Sequence, residues 1–221
     1  MVVLIKMMAN KNGIRLTTFL LIVGILIGCG SGYEQEITKD ENGDIKSSYT
    51  VRKEDGLRHG EYSVYIEGKL YEKGNFENDK RNGIRTIFDE NENKIAEETY
   101  KDNKLTAKKE FSLKGQLKSE GQYDENQAMT DMWKFYYENG QLKEEVTFNN
   151  NIEDGPFVEY YENGNKKAEG TYKPFDLGFG EEGMEHGELK EYDESGNLIA
   201  KKDCKQGKCT TIWKAEQEEN Q

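Results

Sequence analysis

Apolar and polar positions along most of this chain follow one recurring pattern. The clearest unit is Tyr136-Tyr137-Glu138-Asn139-Gly140-Gln141-Leu142-Lys143, echoed at Tyr160-Tyr161-Glu162-Asn163-Gly164-Asn165-Lys166-Lys167. With the turn residue as anchor, the register runs through Gly43, Gly68, Asn93, Gly115, Gly140, Gly164 and Gly196, at steps of 25, 25, 22, 25, 24 and 32 residues. Two residues beyond the anchors stand Ile45, Leu70, Ile95, Leu117, Leu142, Lys166 and Leu198, apolar except for Lys166. Ahead of the anchors runs an aromatic series, Tyr65, Phe88, Phe111, Tyr136, Tyr160 and Tyr192. A third series, eight residues beyond them, reads Phe76, Tyr123, Phe148 and Tyr172, with Tyr100 one residue early. Three coupled series at a fixed period mark a repeat architecture.

Inside a unit the side chains alternate: Trp133, Phe135 and Tyr137 point one way, Lys134 and Tyr136 the other, as successive strand residues do. Asn-Gly between two such runs predicts a hairpin, because both central residues of a type I′ turn take positive φ. Each unit then reads as strand, tight turn, strand and a polar loop such as Asn149-Asn150-Asn151-Ile152-Glu153-Asp154-Gly155. A lone hairpin is marginal in water, so each must bury its stripe against its neighbours. The series from Tyr65 to Tyr192 is assigned to that buried stripe. Pro174-Phe175-Asp176-Leu177-Gly178-Phe179-Gly180, within the 32-residue step, reads as an insertion in one loop between hairpins.

The glycine–aromatic spacing followed by Asn-Gly-x-Leu-Lys resembles the variant MORN repeats of many bacterial proteins. The resemblance covers roughly residues 41–212, is strongest at 131–172 and weakest around 93–113. His59-Gly60 and His186-Gly187 fit the short polar-Gly pair that often ends such a unit. Lys166 departs from the pattern, as does Cys204 at the aromatic position of the last unit. What the resemblance implies is an all-β fold: an elongated, single-layer antiparallel sheet of successive β-hairpins. Some bacterial members are filed as antitoxins, so toxin neutralisation is one expectation it carries.

The N-terminus differs in kind. Residues 1–28 hold Lys6, Lys11 and Arg15, no acidic residue, and the apolar run Phe19-Leu20-Leu21-Ile22-Val23-Gly24-Ile25-Leu26-Ile27. That run is about half of the roughly 20 residues a membrane-spanning helix needs, which suits the apolar region of a signal peptide. It ends in Leu26-Ile27-Gly28-Cys29, which resembles the lipobox of bacterial lipoproteins. The resemblance implies cleavage before Cys29 and acylation of its thiol. The expected organisation is a signal peptide over 1–28, a flexible tether over 29–40 beginning Gly30-Ser31-Gly32, and six to seven repeat units over 41–213. A polar tail follows over 214–221.

Charge narrows the partners. Without residues 1–28 the chain keeps 31 − 3 = 28 basic residues against 43 acidic ones, a net charge near −15. Such a chain is repelled by nucleic acid and by anionic headgroups, so the lipid alone would hold it at a membrane. A 33% charged fraction beside 34% hydrophobic residues borders on a disordered composition, but 13 Tyr, 9 Phe and only 2 Pro fit sheets with tight turns instead.

Candidate chemistry is sparse. Cys204 and Cys209 flank Lys205-Gln206-Gly207-Lys208, a hairpin-like turn, and in an exported chain they are expected to form a disulfide. Both His precede Gly at equivalent repeat positions and read as loop residues of structural role. Acidic turns such as Asp40-Glu41-Asn42-Gly43-Asp44 and Asp89-Glu90-Asn91-Glu92-Asn93 offer oxygen ligands for Ca²⁺ but lack the EF-hand spacing. No nucleophile elbow, P-loop, dinucleotide fingerprint or zinc-protease motif occurs in the sequence. No catalytic residue, metal, cofactor or small-molecule substrate is therefore expected. Trp133, Tyr137, Phe157 and Tyr161 exceed what a one-sided core needs and are the candidate protein interface. Two classes of function follow: a lipid-anchored extracytoplasmic module for protein interaction or structure in the cell envelope, or a toxin-neutralising antitoxin or immunity protein.

Overall fold

A computed structural model describes residues 32–216. Strands β1 (Tyr33–Lys39), β2 (Ile45–Arg52), β3 (Arg58–Ile66) and β4 (Lys69–Glu77) open the sheet. A broken strand, β5 (Lys80–Arg81) with β6 (Gly83–Phe88), leads to β7 (Lys94–Lys101), β8 (Lys104–Phe111) and β9 (Leu117–Tyr123). β10 (Met129–Tyr136), β11 (Leu142–Asn149), β12 (Ile152–Tyr160) and β13 (Lys166–Asp176) follow. A second broken strand, β14 (Glu181–Glu185) with β15 (Gly187–Tyr192), precedes β16 (Leu198–Lys205) and β17 (Lys208–Lys214). Among the described residues there is no helix. Each strand pairs antiparallel with the next along the chain, β4 holding both β5 and β6, and β13 both β14 and β15. The fold is thus a single open antiparallel meander of hairpins, edged by β1 and β17.

The sheet starts earlier than the predicted boundary at residue 41. Tyr33 pairs with Arg52 and Lys39 with Ile45, and the Lys53 N–H donates to the Gly32 carbonyl at 2.9 Å. Residues 33–39 are therefore the first strand and not tether. At the other end β17 stops at Lys214, within a residue of the expected limit.

The turns divide into two kinds, and the division differs from the expectation. At Tyr137–Gln141 the Gly140 N–H donates to the Tyr137 carbonyl and the Tyr137 N–H to the Gln141 carbonyl, both at 2.9 Å. Only Gly140 has positive φ there, at 84°. This is the three-residue loop that joins a type I turn to a glycine bulge, not a type I′ turn. The same pattern recurs at Gly43, Glu92, Gly115, Gln127, Gly164 and Gly196. Glu92, not Asn93, occupies the anchor position of its unit. The two-residue turns with both φ positive lie elsewhere, at Glu67-Gly68, Asn78-Asp79, Asp102-Asn103, Asn150-Asn151 and Gln206-Gly207. The predicted polar loop from Asn149 is therefore a tight turn running straight into β12.

One face of the sheet carries the core. Trp133, Val146 and Phe157 form its buried centre, with Tyr123, Phe135, Phe148, Tyr172 and Leu189 packed around them. Their strands pair Trp133 with Val146 and Val146 with Phe157, a continuous row across β10, β11 and β12. A second cluster, nearer the N-terminal edge, joins Tyr49, Tyr62 and Phe76 ring to ring, with the Arg58 guanidinium 4.2 Å from the Phe76 ring centre. The opposite face is charged. The series predicted to be core belongs largely to that charged face. The hydroxyls of Tyr136, Tyr160 and Tyr192 donate to Glu120, Glu145 and Glu169 at 2.6, 3.0 and 2.8 Å. Phe88 and Phe111 lie beneath the ammonium groups of Lys73 and Lys94. The rings of Tyr136, Tyr160 and Tyr192 are half-buried along the strands while their hydroxyls stay at the polar surface.

Candidate functional site

The four residues predicted as an interface are all engaged within the sheet. Trp133 and Phe157 are 4% and 3% exposed. The indole N–H of Trp133 donates to the Gln122 carbonyl at 3.1 Å, and Phe157 stacks on Tyr172 at 4.3 Å between centroids. Tyr137 and Tyr161 are half-buried. Their hydroxyls donate to the carbonyls of Tyr160 and Tyr192, at 2.7 and 2.8 Å, tying each three-residue turn to the next. Aromatics on both strand faces signalled packing and stitching here, not an exposed patch. The missed signal was glycine. Gly121 lies under the Trp133 indole, Gly74 under Tyr62 and Gly170 under Phe157, so each ring fills the space a facing side chain would take.

Cys204 is buried and bonded to Cys209 by a disulfide, the pair facing each other across β16 and β17. Cys29 lies outside the described residues. The histidines are placed differently from the loop reading: His59 is inside β3 and stacks on Tyr33 at 5.5 Å, while His186 sits at the break between β14 and β15, 5.8 Å from the Phe175 ring. In the acidic turns the carboxylates cap the backbone. Asp40 accepts N–H groups from Asn42 and Asp44, and Asp89 from Asn91 and Asn93. These bonds hold Asp89 below the usual carboxylate range, those from Asn93 foremost. Among the described residues no group of three or more His, Cys, Asp or Glu is placed to hold a metal ion.

Electrostatics organise both faces. On the charged face Lys109 pairs with Glu120 at 3.0 Å, Lys134 with Glu145 at 3.2 Å, and Lys190 with Glu169 at 3.2 Å, cations and carboxylates alternating across neighbouring strands. Hydrogen bonds from Lys166, Tyr192 and Lys190 lower Glu169 to about 2, against the penalty of burial. Burial, then the bond to Glu145, pushes the Tyr160 hydroxyl up to about 12. On the other face Arg85 reaches both Glu72 and Glu98, and Glu72 is only 6% exposed. Burial pulls the Arg85 guanidinium down, but the two carboxylates outweigh it and hold it firmly charged. A shallow groove of about 300 Å³ crosses the charged face over Ile84, Thr99, Ala107 and Met132, with Glu97, Glu120, Lys109 and Lys134 also in its lining.

The insertion forms a hairpin of its own. β13 and β14 pair from Tyr172↔Glu185 to Asp176↔Glu181. The Leu177 N–H donates to the Gly180 carbonyl at 3.0 Å and the Gly178 N–H to the Asp176 carboxylate at 2.7 Å. Gly178 has φ of 84° and Phe179 does not have positive φ, the signature of a type II′ turn with glycine first. At its tip Phe179 is 89% exposed.

An open single sheet of stacked hairpins, each contacting only its sequence neighbours, defines a β-hairpin repeat protein. A family profile described as a MORN repeat variant matches residues 81–102, 132–150, 153–173 and 185–203, so these segments are variant MORN repeats. Such repeats make a protein-interaction or structural module. No curated protein matches the sequence. Among solved structures, a GtfA/B complex bound to UDP and GlcNAc is 11% identical with a TM-score of 0.22; the match covers 72% of this chain and 27% of that one. The chain thus spans about a quarter of that protein's length. A porin-like protein from Bacteroides uniformis is 8% identical with a TM-score of 0.24, over 85% of this chain and 92% of the other.

Proposed function

We propose that this MORN-repeat chain is an exported lipoprotein, acylated at Cys29, that acts as a tethered interaction or structural module in the cell envelope. The observation that carries this reading is Leu26-Ile27-Gly28-Cys29 at the end of a short apolar run, only four residues ahead of Tyr33. Four fully extended residues reach at most about 14 Å, so the anchor would bring the β1 edge within about that distance of the headgroups. A mature charge near −15 offers no electrostatic attraction to anionic lipid, which leaves the acyl chains as the means of attachment. The pairing Lys–Glu ladder and the capped turns support a scaffold role over catalysis, since their polar groups are spent within the sheet. The test is Cys29→Ser expressed in the native host. The variant is expected to lose acyl labelling and to move from the detergent phase to the aqueous phase on cloud-point partition. A variant that partitions with detergent like wild type refutes the anchor.

A further inference from the structure

We propose that the β13–β14 hairpin is the docking element of this module, its tip inserting Phe179 and Leu177 into an apolar pocket rimmed by Lys or Arg on a protein partner. The inference rests on the interaction-module reading but not on the lipid anchor. It starts from a break in the repeat: the 32-residue step is the one place where the period lengthens by a whole hairpin. Insertions in repeat proteins fall on loops of one face, where binding is commonly located. This insertion is built, not slack. The Leu177–Gly180 hydrogen bond closes it, the Asp176 carboxylate caps Gly178, and the Phe175 ring rests against His186 at its base. The tip therefore presents a benzyl group with few rotors on a fixed turn, so little conformational entropy remains to be lost on docking.

Exposure and charge name the partner. Phe179 at 89% and Leu177 at 36% exposure are among the exposed large apolar side chains of the described residues. Residues 174–185 hold Asp176, Glu181, Glu182 and Glu185 and no Lys or Arg. None of these four carboxylates takes part in an ion pair among the described residues, whereas the sheet beside them is laced with such pairs. An apolar centre inside an acidic collar complements an apolar pocket inside a basic rim. An anionic bilayer would be repelled by the same collar, which disfavours the lipid surface as occupant.

Full-length protein carrying p-benzoylphenylalanine at position 179, irradiated in intact cells, tests the proposal. The expected product is one discrete protein adduct whose crosslinked peptide, by mass spectrometry, combines apolar residues with Lys or Arg. Adding Glu181→Lys and Glu182→Lys should cut its yield about tenfold, since like charges facing each other oppose docking, while melting and export stay unchanged because the tip lies outside both aromatic clusters. Adducts to lipid, an acidic crosslinked peptide, or a yield indifferent to charge reversal each overturn it. Parallel probes at exposed Leu113, Met132 and Trp213 separate the two levels of the claim. Protein adducts there but not at 179 leave the module reading standing and defeat this site; no protein adduct at any position defeats both.

Discussion

Trp133 is 4% exposed in a sheet one layer thick because the facing strand offers it Gly121. Without a Cβ on the neighbour, the indole lies across the backbone, and Tyr123 and Phe148 close its edges at 5.4 and 6.2 Å. Tyr62 over Gly74 and Phe157 over Gly170 repeat the arrangement, where an added Cβ would stand 2.9 Å from the ring in each case. Glycine thus does two separate jobs. At Gly140 it supplies φ of 84° with open space around it; at Gly121 the φ is ordinary and the space is what matters. Two substitutions distinguish them. Gly121→Ala is expected to cost about 3 kcal/mol, the upper range for overpacking a core. Gly140→Ala should cost about 1 kcal/mol, the penalty for a Cβ in the left-handed region. Urea unfolding of both variants gives the comparison, and a larger loss for Gly140→Ala would mean the indole is not seated by the glycine beneath it.

The hairpin is joined to its neighbour at the two-residue turns by a repeated clasp. The Asn151 N–H donates to the Met129 carbonyl at 3.1 Å, and the Asn151 side-chain oxygen accepts the Met129 N–H at 2.8 Å. Asn103 does the same to Arg81, and Asp79 to Arg58. Asn and Asp tolerate positive φ and carry the short acceptor that completes the clasp at these three turns, whereas Gly207 keeps only its backbone half, the N–H donating to the Glu185 carbonyl at 3.2 Å. Asn151→Gly keeps the φ and loses the acceptor, for an expected cost of about 1 kcal/mol; Asn151→Ala should lose about 1 kcal/mol more, through strain in the left-handed region. Hydrogen exchange at the Met129 amide should accelerate in both variants, and an unchanged rate would refute the clasp. The same turns explain what was legible beforehand. Period, strand and turn positions followed from Tyr136 to Leu142 and its echoes, because alternation and Asn-Gly act locally. Turn type did not, since the three-residue loop and the type I′ turn differ in the φ of Asn139, which neighbouring pairings decide. Nor did the buried face: strand parity separates Trp133 from Tyr136 without saying which side is covered, and that depends on a glycine one strand away. For the interface, Trp133 and Phe157 were visible as excess aromatics, but their burial was not, while Phe179 sat in a segment read only as an insertion.

Across the whole molecule the core is divided. The aromatic clusters around Tyr62 and around Trp133 are separated by β6 to β8, where the central row turns polar: Arg85 pairs with Glu98, and Lys108 with Glu110 at 2.6 Å. Tyr62, Arg85, Lys108, Trp133, Phe157 and Leu189 hold equivalent places in successive hairpins, so two cations interrupt an otherwise apolar row. Ion pairs of this kind gain little net stability over apolar packing, because desolvation offsets their attraction. In a meander where each strand touches only its neighbours, such a stretch should transmit folding weakly. Phe157→Ala is therefore expected to destabilise its own cluster by about 3–5 kcal/mol, as large core truncations do. Exchange protection should fall over β10 to β13 and remain near wild type over β2 to β4, because opening proceeds in contiguous cooperative units. Tyr62→Ala should give the mirror image. The measurement is peptide-resolved hydrogen exchange of both variants under native conditions. Equal loss of protection at both ends in either variant would show that Arg85, Glu98 and Lys108 couple the clusters into one cooperative body, and that the division of the core has no energetic consequence.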